Sequence, residues 1–112
     1  MIDDIEKTMV LTEKMQVALP MGAIATNELR RTLQNETNQV FPRECTVTEI
    51  RYMGDEGGIA CHLTFEGSET ENVFVASITH LTFDRNNPFA REIELYCNHR
   101  IKRLKKFNHT HP

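Results

Sequence analysis

Tryptophan is absent from this 112-residue sequence, and the aromatic share is 7%. That is thin for a surface that stacks nucleobases on rings. No apolar run approaches the roughly 18 residues that span a bilayer, so no membrane segment is expected. Cysteine is scarce: Cys45, Cys61 and Cys97 are three in number and fall in no CxxC pair. An odd count at such wide spacing matches no disulfide framework, and reduced, buried thiols are the expectation. The opening Met1-Ile2-Asp3-Asp4 is acidic and lacks the basic n-region of a signal peptide. A cytoplasmic location follows as the expectation, and the sequons Asn35-Glu36-Thr37 and Asn108-His109-Thr110 then read as chance.

Catalytic signatures are missing as well. There is no nucleophile elbow for Ser/His/Asp chemistry. The Gly54-Asp55-Glu56-Gly57-Gly58 stretch lacks the Gly-Lys-Ser/Thr that opens a helix in a phosphate-binding loop. It also lacks the regular oxygen spacing of a calcium loop. It reads as a hairpin turn in which glycine supplies positive φ. Cys97 and His99 lie two apart on a helix and point to different faces. His109 and His111 fall on the tail. Four converging ligands are not visible, so neither metal nor cofactor is expected. One pair stays open as a pocket: His80, with Asp84 four residues on, has the makings of a base and its orienter. No nucleophile accompanies them, and a hydrogen-bonded structural histidine is the plainer reading.

What is present fits one α+β domain over residues 1–107, with a disordered tail at 108–112. The apolar fraction is 39% and the charged fraction 26%, as in globular chains. Residues 1–19 read as a helix, with Asp3, Asp4 and Glu6 at its positive end. Ile2, Ile5, Met9, Met15 and Leu19 recur at helical spacing, while Val10, Leu11 and Val17 fall off that stripe. A helix apolar on more than one side inserts between layers or packs on a second chain. Leu19-Pro20-Met21-Gly22 ends it. A second helix runs from about Ala23 or Asn27 to Thr37, with Thr26 as N-cap and Leu29, Leu33 and Val40 as a narrow stripe.

Three strands are expected next, at residues 46–53, 59–66 and 73–83. They are joined by short polar turns into an antiparallel meander. In the first, Val47 and Ile50 have opposite parity, which indicates a bulge or a two-sided strand. The second alternates cleanly through Ile59, Cys61, Leu63 and Phe65. The third carries apolar residues on both parities, so a sheet covered on both faces, at least in part, is expected. Asn87 and Pro88 open a last helix running to about Phe107, with Phe89, Ile93, Tyr96, Cys97, Ile101 and Leu104 on one face. The order is α-α-β-β-β-α.

Charge is divided unevenly. Residues 1–94 hold sixteen acids and eight bases, and residues 95–112 hold five bases and no acid. Those five, Arg100, Lys102, Arg103, Lys105 and Lys106, form a candidate site for an anionic partner, an acidic protein or nucleic acid. A solvated face opposing the helix dipole accounts for most of them equally well. Arg100 alone falls inside the apolar stripe, where it either snorkels or pairs with a carboxylate at an interface.

From residue 26 the element order is similar to that of a double-stranded RNA-binding domain. That family grips phosphate with a basic cluster at the start of its last helix. Here the position reads Asn87-Pro88-Phe89-Ala90-Arg91-Glu92-Ile93-Glu94, so the resemblance stops short of RNA binding. Leu19-Pro20-Met21-Gly22-Ala23-Ile24-Ala25-Thr26, Gly54-Asp55-Glu56-Gly57-Gly58-Ile59, Ser77-Ile78-Thr79-His80-Leu81 and Asn87-Pro88-Phe89-Ala90 resemble a small bacterial family with no assigned activity. That likeness implies one domain and transfers no site. The leading expectation is a non-catalytic protein-interaction module that self-associates. Weak nucleic-acid or anionic-partner binding is the alternative, and an enzyme using His80 comes third.

Overall fold

The computed structural model describes residues 2–66 and 73–110, the last four by backbone alone. The expected loop 67–72 and residues 111–112 of the expected tail lie outside the described residues. Helix α1 spans Ile5–Ala18 and is N-capped by Asp4, whose carboxylate accepts the Lys7 N–H at 3.2 Å. The chain turns at Leu19, passes a cis Leu19–Pro20 bond and enters strand β1, Met21–Ala25. Helix α2, Asn27–Thr37, opens on the expected Thr26 cap and closes on Asn38 in the left-handed region, φ 59°. Strand β2 is Glu44–Tyr52, α3 is the single turn Gly54–Gly57, and β3 is Ile59–Thr64. Strand β4, Phe74–Ser77, runs into a 3-10 turn, Ile78–His80, and then into β5, Leu81–Thr82. Helix α4 runs Ala90–Thr110, with Asn87 Oδ1 accepting the Phe89 N–H at 2.8 Å just ahead of it. The helix therefore takes in residues 108–110, which were expected in the tail.

The class is α+β, and the expected three-stranded meander is corrected to a five-stranded antiparallel sheet in the order β4-β3-β2-β1-β5. Two features produce the difference. Strand β1 hides in Met-Gly-Ala-Ile-Ala, a segment poor in β-branched residues that follows a Pro. Pairing with β2 on one side and β5 on the other overrides that weak propensity. The expected third strand is broken by the 3-10 turn, where Ser77 Oγ accepts the Thr79 N–H at 3.3 Å. Its first half pairs with β3 and its second half with β1, at the opposite edge of the sheet.

That crossing requires a curl. In a flat sheet β4 and β5 would stand four strand spacings apart, about 19 Å at roughly 4.8 Å each. A three-residue 3-10 turn advances only about 6 Å. The edges must bend toward each other, and Ile78, fully buried, sits at the join.

The inner face carries Met21, Ala23, Ala25, Cys45, Val47, Ile50, Ile59, Cys61, Leu63 and Ala76. Leu11 and Met15 of α1, Leu29 and Leu33 of α2, and Ile93 and Tyr96 of α4 join them in one core cluster. Phe41, Phe65 and Phe74 close one side as an edge-on trio with centroids 5.1–6.0 Å apart. The bulge implied by Val47 and Ile50 is present, with a register shift between Val47 and Glu49. On the opposite face Thr48, Arg51 and Val75 are exposed. Ala60 is buried on that face and His62 and Thr64 are half-buried, so the sheet is fully covered on one face and only in part on the other. Val40 lies beyond α2 and is exposed, outside the stripe expected for it. No described helix is long and apolar enough to cross a membrane.

Candidate interaction surface on helices α1 and α4

Arg100 explains itself first. It is 3% exposed, and its Nη1 lies 3.0 Å from Asp3 Oδ2, itself buried. Nη1 also donates to the Asp55 carbonyl at 2.8 Å, and Nη2 donates to the Glu56 carbonyl. Asp3 Oδ2 accepts further hydrogen bonds from Tyr52 OH at 3.0 Å and Tyr96 OH at 3.2 Å. Tyr96 OH in turn accepts the Ile59 N–H at 3.1 Å. Burial pushes the Tyr52 phenol up to about 12, helped by the adjacent Asp3 charge. Burial likewise holds the Tyr96 phenol well above its ordinary value. The Asp55 carboxylate accepts the Asp3 and Ile2 N–H groups, which hold it below the usual carboxylate range. Together these contacts clamp the residues before α1 to the α3 turn and to α4. The side-chain bonds to Asp3 all go to Oδ2; Asp3 Oδ1 is buried with no hydrogen-bond partner among the described residues, so the contacts offset the desolvation cost of the pair only in part.

Gly58 makes the clamp possible. It adopts φ +67°, and a Cβ there would lie 2.6 Å from Arg100 Nε and 2.8 Å from Tyr96 OH. The hairpin glycines were read as turn formers. The close approach of a guanidinium was not legible in them.

Helix α1 follows its expected stripe only in part: Met15 is fully buried and Leu19 packs on the core, while Ile5 and Met9 face out. Its buried side is Thr8, Leu11, Thr12 and Met15. Thr12 can turn inward because its hydroxyl donates to the Thr8 carbonyl of the same helix at 2.7 Å. Ile5, Met9, Val10 and Val17 face outward, 37, 40, 51 and 89% exposed. Between α1 and α4 lies a groove of about 650 Å³, floored by Val10, Leu11, Leu95 and Tyr96. Its walls carry Asp4, Glu6, Lys7, Glu92 and His99. His99 Nε2 is 3.1 Å from the Ile2 carbonyl, and Lys14 meets Glu92 at 3.2 Å across the top. That exposed bridge contributes under about 1 kcal/mol.

The five bases do not form one site. Arg100 is buried in the clamp, so it does not share the surface of Lys102, Arg103, Lys105 and Lys106, which are exposed on α4. The physical reason is its place in the apolar stripe, which aims it at the body where Asp3 waits. His80 and Asp84 are not joined by any hydrogen bond or ion pair among the described residues. The His80 carbonyl accepts the Thr26 N–H at 3.0 Å, and Asp84 Oδ1 accepts the Asn86 N–H at 2.8 Å. Neither lines the groove or the second cavity, about 460 Å³ between α4 and the segment around β5. On the open face of the sheet Glu49 lies 2.8 Å from Arg51 Nε and 3.4 Å from His62 Nδ1. Burial raises all three thiols: Cys45 and Cys97 to about 11, Cys61 to about 12. Among the described residues no three His, Cys, Asp or Glu side chains stand together as metal ligands.

Set beside known proteins, the chain matches no family model, no curated protein and no solved structure. The features that sequence reasoning missed are Asp3 and the outward turn of α1. The signal for the first was Arg100 in an apolar stripe. For the second it was the presence of apolar residues around most of α1.

Proposed function

We propose that the chain is a non-catalytic protein-interaction module that pairs with copies of itself through the α1–α4 side. The observation that carries this reading is the apolar surface that helix α1 leaves exposed. Beside Leu11 and Met15, helix α1 buries two threonines and leaves Met9, Val10 and Val17 in solvent; Val10 and Leu95, 51 and 58% exposed, line one groove. Contiguous exposed apolar surface with a polar rim marks an interaction site. Sedimentation velocity over a micromolar concentration series tests it: a sedimentation coefficient that rises with concentration is expected, and a monomer throughout overturns the reading.

The second reading, binding of nucleic acid or another anionic partner, draws on the exposed Lys102, Arg103, Lys105 and Lys106 of α4. It requires steep loss of binding with salt.

A further inference from the structure

The groove wall and the exposed end of α4 share one side of one helix. Glu92, Leu95, His99, Lys102 and Lys106 follow the alternating three- and four-residue spacing of a helix-pairing seam. Glu92, Leu95 and His99 line the groove. Beyond Arg100, the last buried residue of the helix among those whose side chains are described, Lys102 and Lys106 continue the stripe and are exposed. Along this side the charge changes sign, acidic at the start and basic at the end. Asp4 and Glu6 on the facing wall add to the acidic half, and Lys7 and Lys14 offset part of it.

A stripe with opposite ends complements itself in one direction. We infer that the occupant of the groove is a second copy, its α4 antiparallel to the first, so that the basic end of each helix lies in the acidic-walled groove of the other. This deepens the self-association proposed above and rests on it. A two-fold axis near His99 sets Glu92 opposite Lys106 and Leu95 opposite the aliphatic stem of Lys102, twice over. The parallel arrangement sets Lys102 and Lys106 against their own copies and is repulsive. The seam from Glu92 to Lys106 is about 21 Å long, and every element of the fold stays in place because the clamp at Arg100 holds α4 to its own body.

The test is sedimentation velocity on the whole chain at low and high salt, with urea midpoints as a folding control. Wild type is expected to dimerise, less so at high salt. Lys102→Glu/Lys106→Glu is expected to weaken the dimer about tenfold or more, the scale of interfacial charge pairs. Glu92→Lys is expected to weaken it too, and Glu92→Lys/Lys106→Glu in one chain to restore it toward wild type. A dimer unmoved by the first two variants, or not restored by the third, overturns the antiparallel seating while leaving self-association standing. A wild type that stays monomeric overturns both. So does a monomer whose retention on RNA is lost in Lys102→Glu/Lys106→Glu, since the basic end then serves nucleic acid.

Discussion

At the scale of single residues, the molecule turns on Asp3 and Arg100. Both are charged and buried, and each is tolerable because the other is there. Removing one leaves the other uncompensated, at a cost of about 3–5 kcal/mol. Arg100→Ala should lower the unfolding free energy by that amount in a urea titration. Lys102→Ala, two positions on and exposed, should stay within about 0.5 kcal/mol of wild type. Equal losses from the two variants would show that the pair is not structural. Part of this was legible beforehand. Arg100 stood out because a base in an apolar stripe needs an explanation. Asp3 did not, since an acid ahead of a helix already has one in the macrodipole. Residue type announces that a buried charge needs a partner, and it cannot say which of sixteen acids supplies it.

At the scale of elements, sequence pattern succeeds where one force acts and fails where two compete. Strand β3 alternates from Cys61 to Thr64, and with Ala60 buried as well it is the most buried strand. The caps at Thr26 and Asn87 accept the backbone N–H groups expected of them. Strand β1 was read as a helix terminator because Pro20 and Gly22 punctuate it, yet both its neighbours supply partners for a small-residue strand. The stripe expected on helix α1 holds at Met15 and Leu19 and fails at Ile5 and Met9, and Thr8 and Thr12 turn inward because a helix can satisfy a threonine hydroxyl itself. The two glycines of interest separate these cases. Gly58→Ala forces a Cβ against the Arg100 guanidinium at φ +67°, and should cost about 1–3 kcal/mol. Gly22→Ala meets nothing within 4 Å and should be neutral or stabilising by under about 1 kcal/mol. Thermal melts of the two variants check the contrast, and a Gly58→Ala protein as stable as wild type would refute the close approach.

At the scale of the whole molecule, burial ties stability to pH. Cys45, Cys61, Cys97 and Tyr52 all have raised values in the fold, so the folded state favours their neutral forms. The unfolded chain loses those protons first, from about pH 8.5 for thiols and about pH 10 for the phenol. Their contribution is complete below that range and is lost as pH rises toward about 12. Asp55 runs the other way. Its value is lowered, so its contribution is present above the ordinary carboxylate range and fades as pH falls below about 4. Urea midpoints measured against pH should form a plateau between these limits. A flat profile from pH 8 to 11 would remove the alkaline argument.

The clamp also orders events in time. Asp3 precedes Arg100 by 97 positions and is made before it. Until the arginine has been made, seating the carboxylate between Tyr52 and Tyr96 would strand a charge away from water. The start of α1 therefore cannot settle into the clamp until α4 has been made, although it is synthesised before that helix.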